Sequence, residues 1–376
     1  MYQKTYMQAA IDLAAKGAGC TNPNPLVGAV IVKDGKIIGA GYHEKYGQAH
    51  AERNALADCR ARGEDPKGAS LYVTLTPCCH YGKTPPCTEA IIESGLEEVI
   101  IGSRDPNPLV ADKSIKILED AGINVTTDFM QEECDRLNPV FFHYITTGLP
   151  YVVLKYAMTM DGKIATWAGN SRWITGEAAR ADVHWNRHCL TGIMVGVGTV
   201  IQDDPMLTCR LPDGSGRNPI RIICDTHLRT PLTAQVVATA SEVPTIIACS
   251  CEDIAKQQPY MDAGCQILHV AAGPGGHIDL KQLMKLLGQQ QIDGILLEGG
   301  SQLNWSALES GIVSRVQAYI APKLLGGDKA KTPVGGLGVE FPSQAVTLKT
   351  LQIKQLGEDI LIESEVQPCL PASSKK

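Results

Sequence analysis

Apolar positions in the first 145 residues change period several times, and each change marks a new element. Residues 6–16 carry a helical pattern, and LVGAVIVKDGKIIGAGY (26–42) then gives two β-rich stretches around Lys33-Asp34-Gly35-Lys36. The Asp-Gly step predicts a tight hairpin there. HAERNALADCRARG (50–63) reads as an amphipathic helix opening at its histidine, SLYVTLT (70–76) as a buried strand, CTEAIIESG (87–95) as a helix with a glycine stop, and EEVIIGS (97–103) as another strand. This alternation predicts an α/β layer arrangement of parallel character.

A Gly-Pro interruption in ITTGLPYVVLKYAM (145–158) restarts the pattern, which puts a domain boundary at about residue 147. The second half opens with the strand PYVVLKYA, continues with a helix over 176–187, and adds strands in IMVGVG, IRIICD, PTIIACS and CQILHVA. A helix over 280–290, the strand GILLEGG, the helix NWSALESG and the strand VQAYIAP follow, and PCLPASSKK at the end should fray. Domains are therefore expected at 1–147 and 148–366, with a disordered tail from 367; there is no short-period repeat.

Length agrees with this division, since 376 residues at roughly 150 per domain suggest two or three units. Apolar residues make up 44% and charged residues 20%, so packed cores are expected rather than disorder. The N-terminal stretch has no signal-peptide pattern and no run of about eighteen apolar residues occurs, which predicts a cytoplasmic protein without a membrane partner. A net charge of −6 with no basic run argues against nucleic acid while leaving room for a small basic pocket for one phosphate. Thirteen cysteines in a reducing compartment are expected as thiols or metal ligands. Cys20, Cys59, Cys134, Cys189, Cys209, Cys224, Cys249, Cys251, Cys265 and Cys369 are scattered and should behave as small hydrophobes.

The cysteines at 78–87 are different. His50-Ala51-Glu52 opens a helix, Pro77-Cys78 ends a strand, and Cys87 opens the next helix after eight intervening residues. One imidazole and two thiolates suit zinc and leave the fourth tetrahedral position for water, which is the donor set of a catalytic site. Glu52 is then the group that takes a proton from water and returns it to a ring nitrogen and a leaving amine. Nucleobase deaminases combine H-x-E with a later P-C-x-x-C. Here Tyr81 stands three after Cys78, so the short form is absent and Cys87 serves through a longer loop. Cys79 and His80 are ligands by type, but neighbouring side chains rarely reach one metal together, and His80 is expected to face substrate. A zinc-stabilised binding module is the non-catalytic rival, against which the carboxylate of Glu52 argues.

With these residues in place, the chain resembles the bifunctional riboflavin-biosynthesis deaminase/reductase family. The resemblance rests on TNPNPLVGAVIV, HAE, TPCCHYGKTPPC, DPNPLV, KYAMTMDGKIA, SRWITGEAARADVH, GTVIQDDPMLTCR and LLEGG, spread in order over most of the chain. TPPC is the most discriminating motif, because related nucleoside and tRNA deaminases use the shorter cysteine spacing; Cys79 stands where the family commonly has serine. The resemblance implies a cytidine-deaminase-like three-layer N-terminal domain and a dihydrofolate-reductase-like C-terminal domain. It also implies deamination of 2,5-diamino-6-(5-phosphoribosylamino)pyrimidin-4-one with one zinc ion, then reduction of the ribosyl group to ribityl with NADPH, in a homo-oligomer (dimer or tetramer).

Carried over by motif, deaminase substrate contacts fall on Asn24, His43, His80, Lys83, Asp105 and Asn107. Reductase substrate contacts fall on Ser171, Arg187, Leu207, Arg210 and Glu298, with both arginines suited to a phosphate by their forked geometry. NADPH contacts fall on Ala157, Trp173, Thr199, Asp203, Thr226, Gly300, Ser301, Gln302, Leu303, Asn304, Trp305 and Ser306. The segment 196–201 is a poor Rossmann fingerprint, whereas the turn 298–302 from a buried strand into a helix is a better phosphate cradle. Lys155 and Glu298 are the candidates for proton transfer in the reduction. The alternative is a nucleoside or tRNA-editing deaminase fused to an unrelated α/β domain.

Overall fold

A computed structural model describes residues 2–107, 110–273 and 275–367. Pro108 and Leu109 of the DPNPLV motif, Cys369 and the expected tail from 368 onward lie outside the described residues. Gln367, placed in that tail from sequence, donates its N–H to the Thr347 carbonyl at 2.9 Å. The chain forms two compact units, with the boundary between Gly148 and Leu149.

In the first unit, α1 (Lys4–Ala15) precedes the hairpin of β1 (Gly28–Lys33) and β2 (Lys36–Tyr42). The hairpin turns where Asp34 and Gly35 both take positive φ, 50° and 74°, the geometry that the right-handed twist of paired strands favours. Then come α2 (Ala51–Ala61), β3 (Ser70–Leu75), α3 (Cys87–Glu93), β4 (Glu98–Ser103), α4 (Ala111–Asp120), β5 (Asn124–Thr126), α5 (Gln131–Asp135) and α6 (Pro139–Thr147). The sheet order is β2-β1-β3-β4-β5. Only β3, β4 and β5 run parallel; β1 is antiparallel to both neighbours, because the hairpin reverses the chain before the first crossover.

Strand alternation sorts the core into two faces. Val30, Val32, Tyr72 and Ile100 pack with Met7 and Ala10 of α1 and Cys134 of α5, while Ile31, Leu71, Val73, Val99 and Ile101 pack with Ala55, Ile91 and Leu118 of α2, α3 and α4. The result is a three-layer α/β/α unit.

The second unit contains β6 (Tyr151–Thr159), α7 (Glu177–Cys189), β7 (Gly192–Gly196), α8 (Val197–Asp203), β8 (Ile220–Cys224), α9 (Gln235–Ala238), β9 (Thr245–Cys249), α10 (Ile254–Asp262) and β10 (Gln266–His269). It closes with α11 (Leu280–Gln289), β11 (Gly294–Leu297), α12 (Ser301–Glu309), β12 (Val313–Ala321), β13 (Leu348–Leu356) and β14 (Asp359–Val366). Its sheet runs β10-β9-β8-β7-β11-β6-β12-β14-β13, parallel from β10 to β12 and antiparallel beyond. Central strands such as Gly294–Leu297 are buried along their whole length, as expected of a parallel sheet covered on both faces. IMVGVG is shorter as a strand than its apolar run suggests: the strand stops at Gly196 and Val197 opens α8. Among the described residues no helix is long and apolar enough to cross a membrane.

Small residues let helices approach the first sheet closely. A Cβ on Gly41 would lie 2.4 Å from Ala55 N and 2.7 Å from Ala51 O of α2. We therefore expect Gly41→Ala to push α2 off the sheet, lowering unfolding stability by about 1–3 kcal/mol in denaturant titrations.

Candidate active sites

Each ligand-type side chain in the first unit sits at the end of an element. His50 is the N-cap of α2, Cys87 is the first residue of α3, and Cys78 follows β3. Nδ1 of His50 lies 3.4 Å from both sulfurs, and the three donor atoms fall within 4.8 Å of one another. The N-terminus of α3 points at Cys78: Cys87 N–H donates to its Sγ at 3.4 Å and to its carbonyl at 3.1 Å, and Thr88 N–H donates to the same carbonyl. Hydrogen bonding from Cys87 outweighs burial and, helped by His50, holds the Cys78 thiol down to about 4, while Cys87 as the donating partner is pushed up. One imidazole nitrogen and two sulfurs, that of Cys78 already readily ionised, fit zinc with one coordination position to spare.

Glu52 is only 3% exposed, on the first turn of α2 beside these sulfurs. Burial, reinforced by Cys78, raises its pKa, which favours its holding a proton and so suits a carboxyl that must both gain and release one. A cavity of about 340 Å³ opens over the cluster and is lined by Asn24, His43, His50, Glu52, Cys78, His80, Lys83, Asp105 and Asn107. Every deaminase residue expected from sequence except buried Cys87 therefore faces one space. His43 Nδ1 meets Ala49 O at 3.1 Å and its Nε2 meets Asn24 Nδ2 at 3.3 Å, and burial lowers its pKa, so the ring is neutral and its tautomer is set by these two partners. Asp105 is brought over by its N–H donating to Thr76 Oγ1 at 3.1 Å, and burial raises its carboxyl to about 6. The Lys83 ammonium sits 3.9 Å above the Tyr46 ring. Sequence reasoning missed Tyr46, Gln48, Thr84 and the apolar wall that Phe141, Tyr144 and Ile145 of α6 give the same cavity.

In the second unit the expected residues gather at the carboxyl ends of adjacent parallel strands, where open α/β sheets place their ligands. Glu298 directly follows β11, and its Oε1 accepts from Arg187 Nε at 2.7 Å while Oε2 accepts from Lys155 Nζ at 3.3 Å. Burial pushes the Glu298 carboxyl up, but Arg187 and Lys155 overcome this and bring it to about 2. Arg187 Nη1 also donates to Thr208 O, and Arg210 Nη1 to Thr208 Oγ1; the preceding Leu207, at a positive φ of 53°, is buried in the core cluster that includes Ile193 and Val195 of β7. Ala157 extends β6 beyond the end of β11, which stops against Leu154; Thr199 and Asp203 lie on α8, and Thr226 follows β8. Arg172 Nη2 donates to Asp203 O, tying the loop with Ser171 and the exposed Trp173 to α8.

Gly300 is the N-cap of α12, and Ser301, Gln302, Leu303, Asn304, Trp305 and Ser306 form its first turns. It offers the first-turn amides no side-chain acceptor, and a Cβ there would meet nothing nearer than Thr199 Oγ1 at 3.7 Å. Unclaimed amides beside open space fit a phosphate of a dinucleotide.

Two family models cover the chain: the cytidine and deoxycytidylate deaminase zinc-binding region matches residues 1–103, and the RibD C-terminal domain matches 150–362. The riboflavin biosynthesis protein RibD of Actinobacillus pleuropneumoniae is 55% identical over 95% of this chain and 94% of its own. The chain belongs to the RibD family. The RibD of Escherichia coli is 39% identical over 96% of this chain and 99% of its own. The solved structure of Acinetobacter baumannii RibD superposes with a TM-score of 0.86 at 37% identity, covering 97% of this chain and 98% of that one. A Thermotoga maritima structure, described as a diaminohydroxyphosphoribosylaminopyrimidine deaminase/5-amino-6-(5-phosphoribosylamino)uracil reductase, gives a TM-score of 0.86 at 37% identity, covering 96% of this chain and 98% of that one. A deaminase joined to an unrelated domain is not favoured, because the second half matches the RibD C-terminal domain and the relatives span both halves.

Glu298 lies between two cations in a largely buried setting, so Glu298→Gln should cost about 3–5 kcal/mol at pH 7 by leaving them unpaired. A depressed carboxyl contributes stability that is complete above its ordinary value of 4.5 and lost as pH falls to about 2. Acid titration of parent and variant should show the difference shrinking across that window.

Proposed function

We propose that residues 1–147 deaminate and residues 148–366 reduce one small phosphorylated aminopyrimidine in succession. The division of the fold at Gly148 and Leu149 supports that assignment. As a RibD-family member, the protein is the bifunctional deaminase and reductase of riboflavin biosynthesis, with zinc and NADPH as cofactors. The first reaction is hydrolytic removal of an amino group from 2,5-diamino-6-(5-phosphoribosylamino)pyrimidin-4-one. The second converts the ribosyl side chain to ribityl. The observation that carries this reading is that each unit has its own complete set of groups: His50, Cys78, Cys87 and Glu52 in one, Lys155, Arg187 and Glu298 in the other.

His50, Cys78 and Cys87 would hold zinc, which when bound acidifies water towards neutrality. Glu52 would take one proton from the attacking water and deliver it to the ring nitrogen, then take the second proton from the hydroxyl so formed and deliver it to the amine, which leaves as ammonia. Neutral His43, Asn24, Asp105 and Asn107 offer a donor and acceptor set for the amino and carbonyl edge of a pyrimidine, and Lys83, held over Tyr46 at the same cavity, is the cation for the phosphate. His80 lines the cavity without being needed as a ligand.

In the second unit Gly300 to Ser306 would hold a phosphate of NADPH, with Ala157, Trp173, Thr199, Asp203 and Thr226 completing its site; NADPH supplies the hydride. Arg187 and Arg210 hold the sugar phosphate, with Ser171, Leu207 and Glu298 against the substrate. Lys155 carries the donatable proton. Glu298, with its carboxyl drawn down by its two cations, stays ionised near neutral pH and orients Lys155 rather than supplying a proton itself.

A homo-oligomer and a reducing, cytoplasmic setting complete the proposal. The free cysteines support the setting. The edge strand β13 supports assembly, since it is exposed along nearly its whole length and turns Leu348, Leu351 and Ile353 outward.

Cys87→Ala tests the separation of the two chemistries. The variant should lose zinc and ammonia release, yet oxidise NADPH with already deaminated substrate within several-fold of the parent. Loss of both activities in a protein still folded by circular dichroism would contradict it.

A further inference from the structure

The carboxyl-terminal half of α7 carries two histidines one turn apart, and both grip the same downstream segment. Arg210 N–H donates to His184 Nδ1 at 3.2 Å, and Arg217 N–H donates to His188 Nδ1 at 3.0 Å. Between these anchors the chain makes a loop whose two legs lie together: a Cβ on Gly216 would fall 2.5 Å from Cys209 Sγ, and Cys209 N–H donates to Asn218 Oδ1 at 2.9 Å. Cys209 Sγ adds a third link by donating to His184 O at 3.2 Å.

What this attachment holds in place is a pair of like charges. Arg187, on the same helix, is paired with Glu298, whereas Arg210 is in salt-bridge contact with no carboxylate among the described residues. Arg210 is itself exposed, and both guanidinium groups reach Thr208, Arg187 through its carbonyl and Arg210 through its Oγ1. Two cations that share one neighbour repel each other, and the loop's attachment to α7 opposes their separation. We propose that His184 and His188 are positioning residues, a two-point clamp that holds the Arg210 main chain beside Arg187 so that the two cations stand ready for a phosphate.

For the clamp to work, the accepting nitrogens must lack protons. Burial, together with Arg187 and Arg210, takes His184 to about 4, so its Nδ1 remains an acceptor at neutral pH. Preorganising a charged contact in this way removes an ordering cost from substrate binding, so its loss should raise KM rather than slow the chemical step.

The inference rests on the assignment of Arg187 and Arg210 to the substrate phosphate, and the experiment separates the two. KM and kcat for reduction of the deaminated substrate would be measured at saturating NADPH, with and without its phosphate, for the parent, His184→Asn, His184→Gln, His184→Leu, His188→Leu and Arg210→Gln. Asparagine can place an acceptor oxygen near the position of Nδ1, whereas glutamine carries its oxygen one carbon farther out. We expect His184→Leu, His184→Gln and His188→Leu to raise KM for the phosphorylated substrate about ten-fold with kcat within about two-fold, and His184→Asn to restore most of the loss. KM for the substrate lacking phosphate should not respond to the histidine variants. If His184→Leu does not fold, the contrast between glutamine and asparagine decides the matter. Unchanged KM in the histidine variants alongside a raised KM in Arg210→Gln would overturn the clamp alone, as would an equal rise for both substrates. Unchanged KM in Arg210→Gln would overturn the phosphate assignment beneath it.

Discussion

The deaminase unit depends on one convergence: the N-termini of two helices meet the end of a strand at a sulfur atom. Cys78 receives the N–H of Cys87 from the head of α3 while the imidazole cap of α2 faces the same sulfur. That arrangement is possible only because α2 lies close against β2, with Ala51 and Ala55 on one side and the bare Cα of Gly41 on the other. Everything that the first unit does chemically follows from it. The helix ends supply partial positive charge that favours a thiolate at Cys78, the helix start buries Glu52 beside it, and the bond from Asp105 N–H to Thr76 Oγ1 carries the end of β4 towards the same cavity.

The second unit meets a comparable electrostatic problem by different means. It has no metal-ligating cluster among the described residues, and its chemistry gathers around a buried carboxylate flanked by two cations. Glu298 enters at the end of a fully buried strand, where a rigid sheet fixes its backbone; Lys155 comes from the neighbouring strand and Arg187 from α7. A charge in that position needs partners, because leaving one of the three unpaired in a low-dielectric setting would cost several kcal/mol. The same network that satisfies burial keeps the Glu298 carboxyl ionised near neutral pH.

How far these features could be read in advance depends on the range of the signal. The hairpin at Asp34-Gly35, the helix opening at His50 and the strand-to-helix turn at Gly300 are local, and residue type alone marks them. The cluster of His50, Cys78 and Cys87 was legible because helix starts and a strand end leave short motifs. Asn24, Asp105 and Asn107 were legible only through family resemblance, since nothing local tells a cavity residue from a loop cap. The wall formed by Phe141, Tyr144 and Ile145 was missed because PVFFHYITT shows only an apolar run near a boundary, without the polar face that marks a helix. The hairpin of β13 and β14 was missed although its residues alternate around Gly357. The partners of His184 and His188 lie 26 and 29 residues downstream in an unpatterned loop, so their pairing appears only in three dimensions.

The central claim is that Glu52 moves protons while three other residues hold the metal. Glu52→Gln keeps the size of the side chain and removes its ability to ionise. Zinc content, ammonia release and NADPH oxidation with deaminated substrate should be measured on that one preparation. The account predicts about one zinc per chain, ammonia release reduced by at least ~10² and NADPH oxidation close to the parent's. A preparation that has lost its zinc, or one that retains zinc and still releases ammonia at the parent's rate, would contradict it.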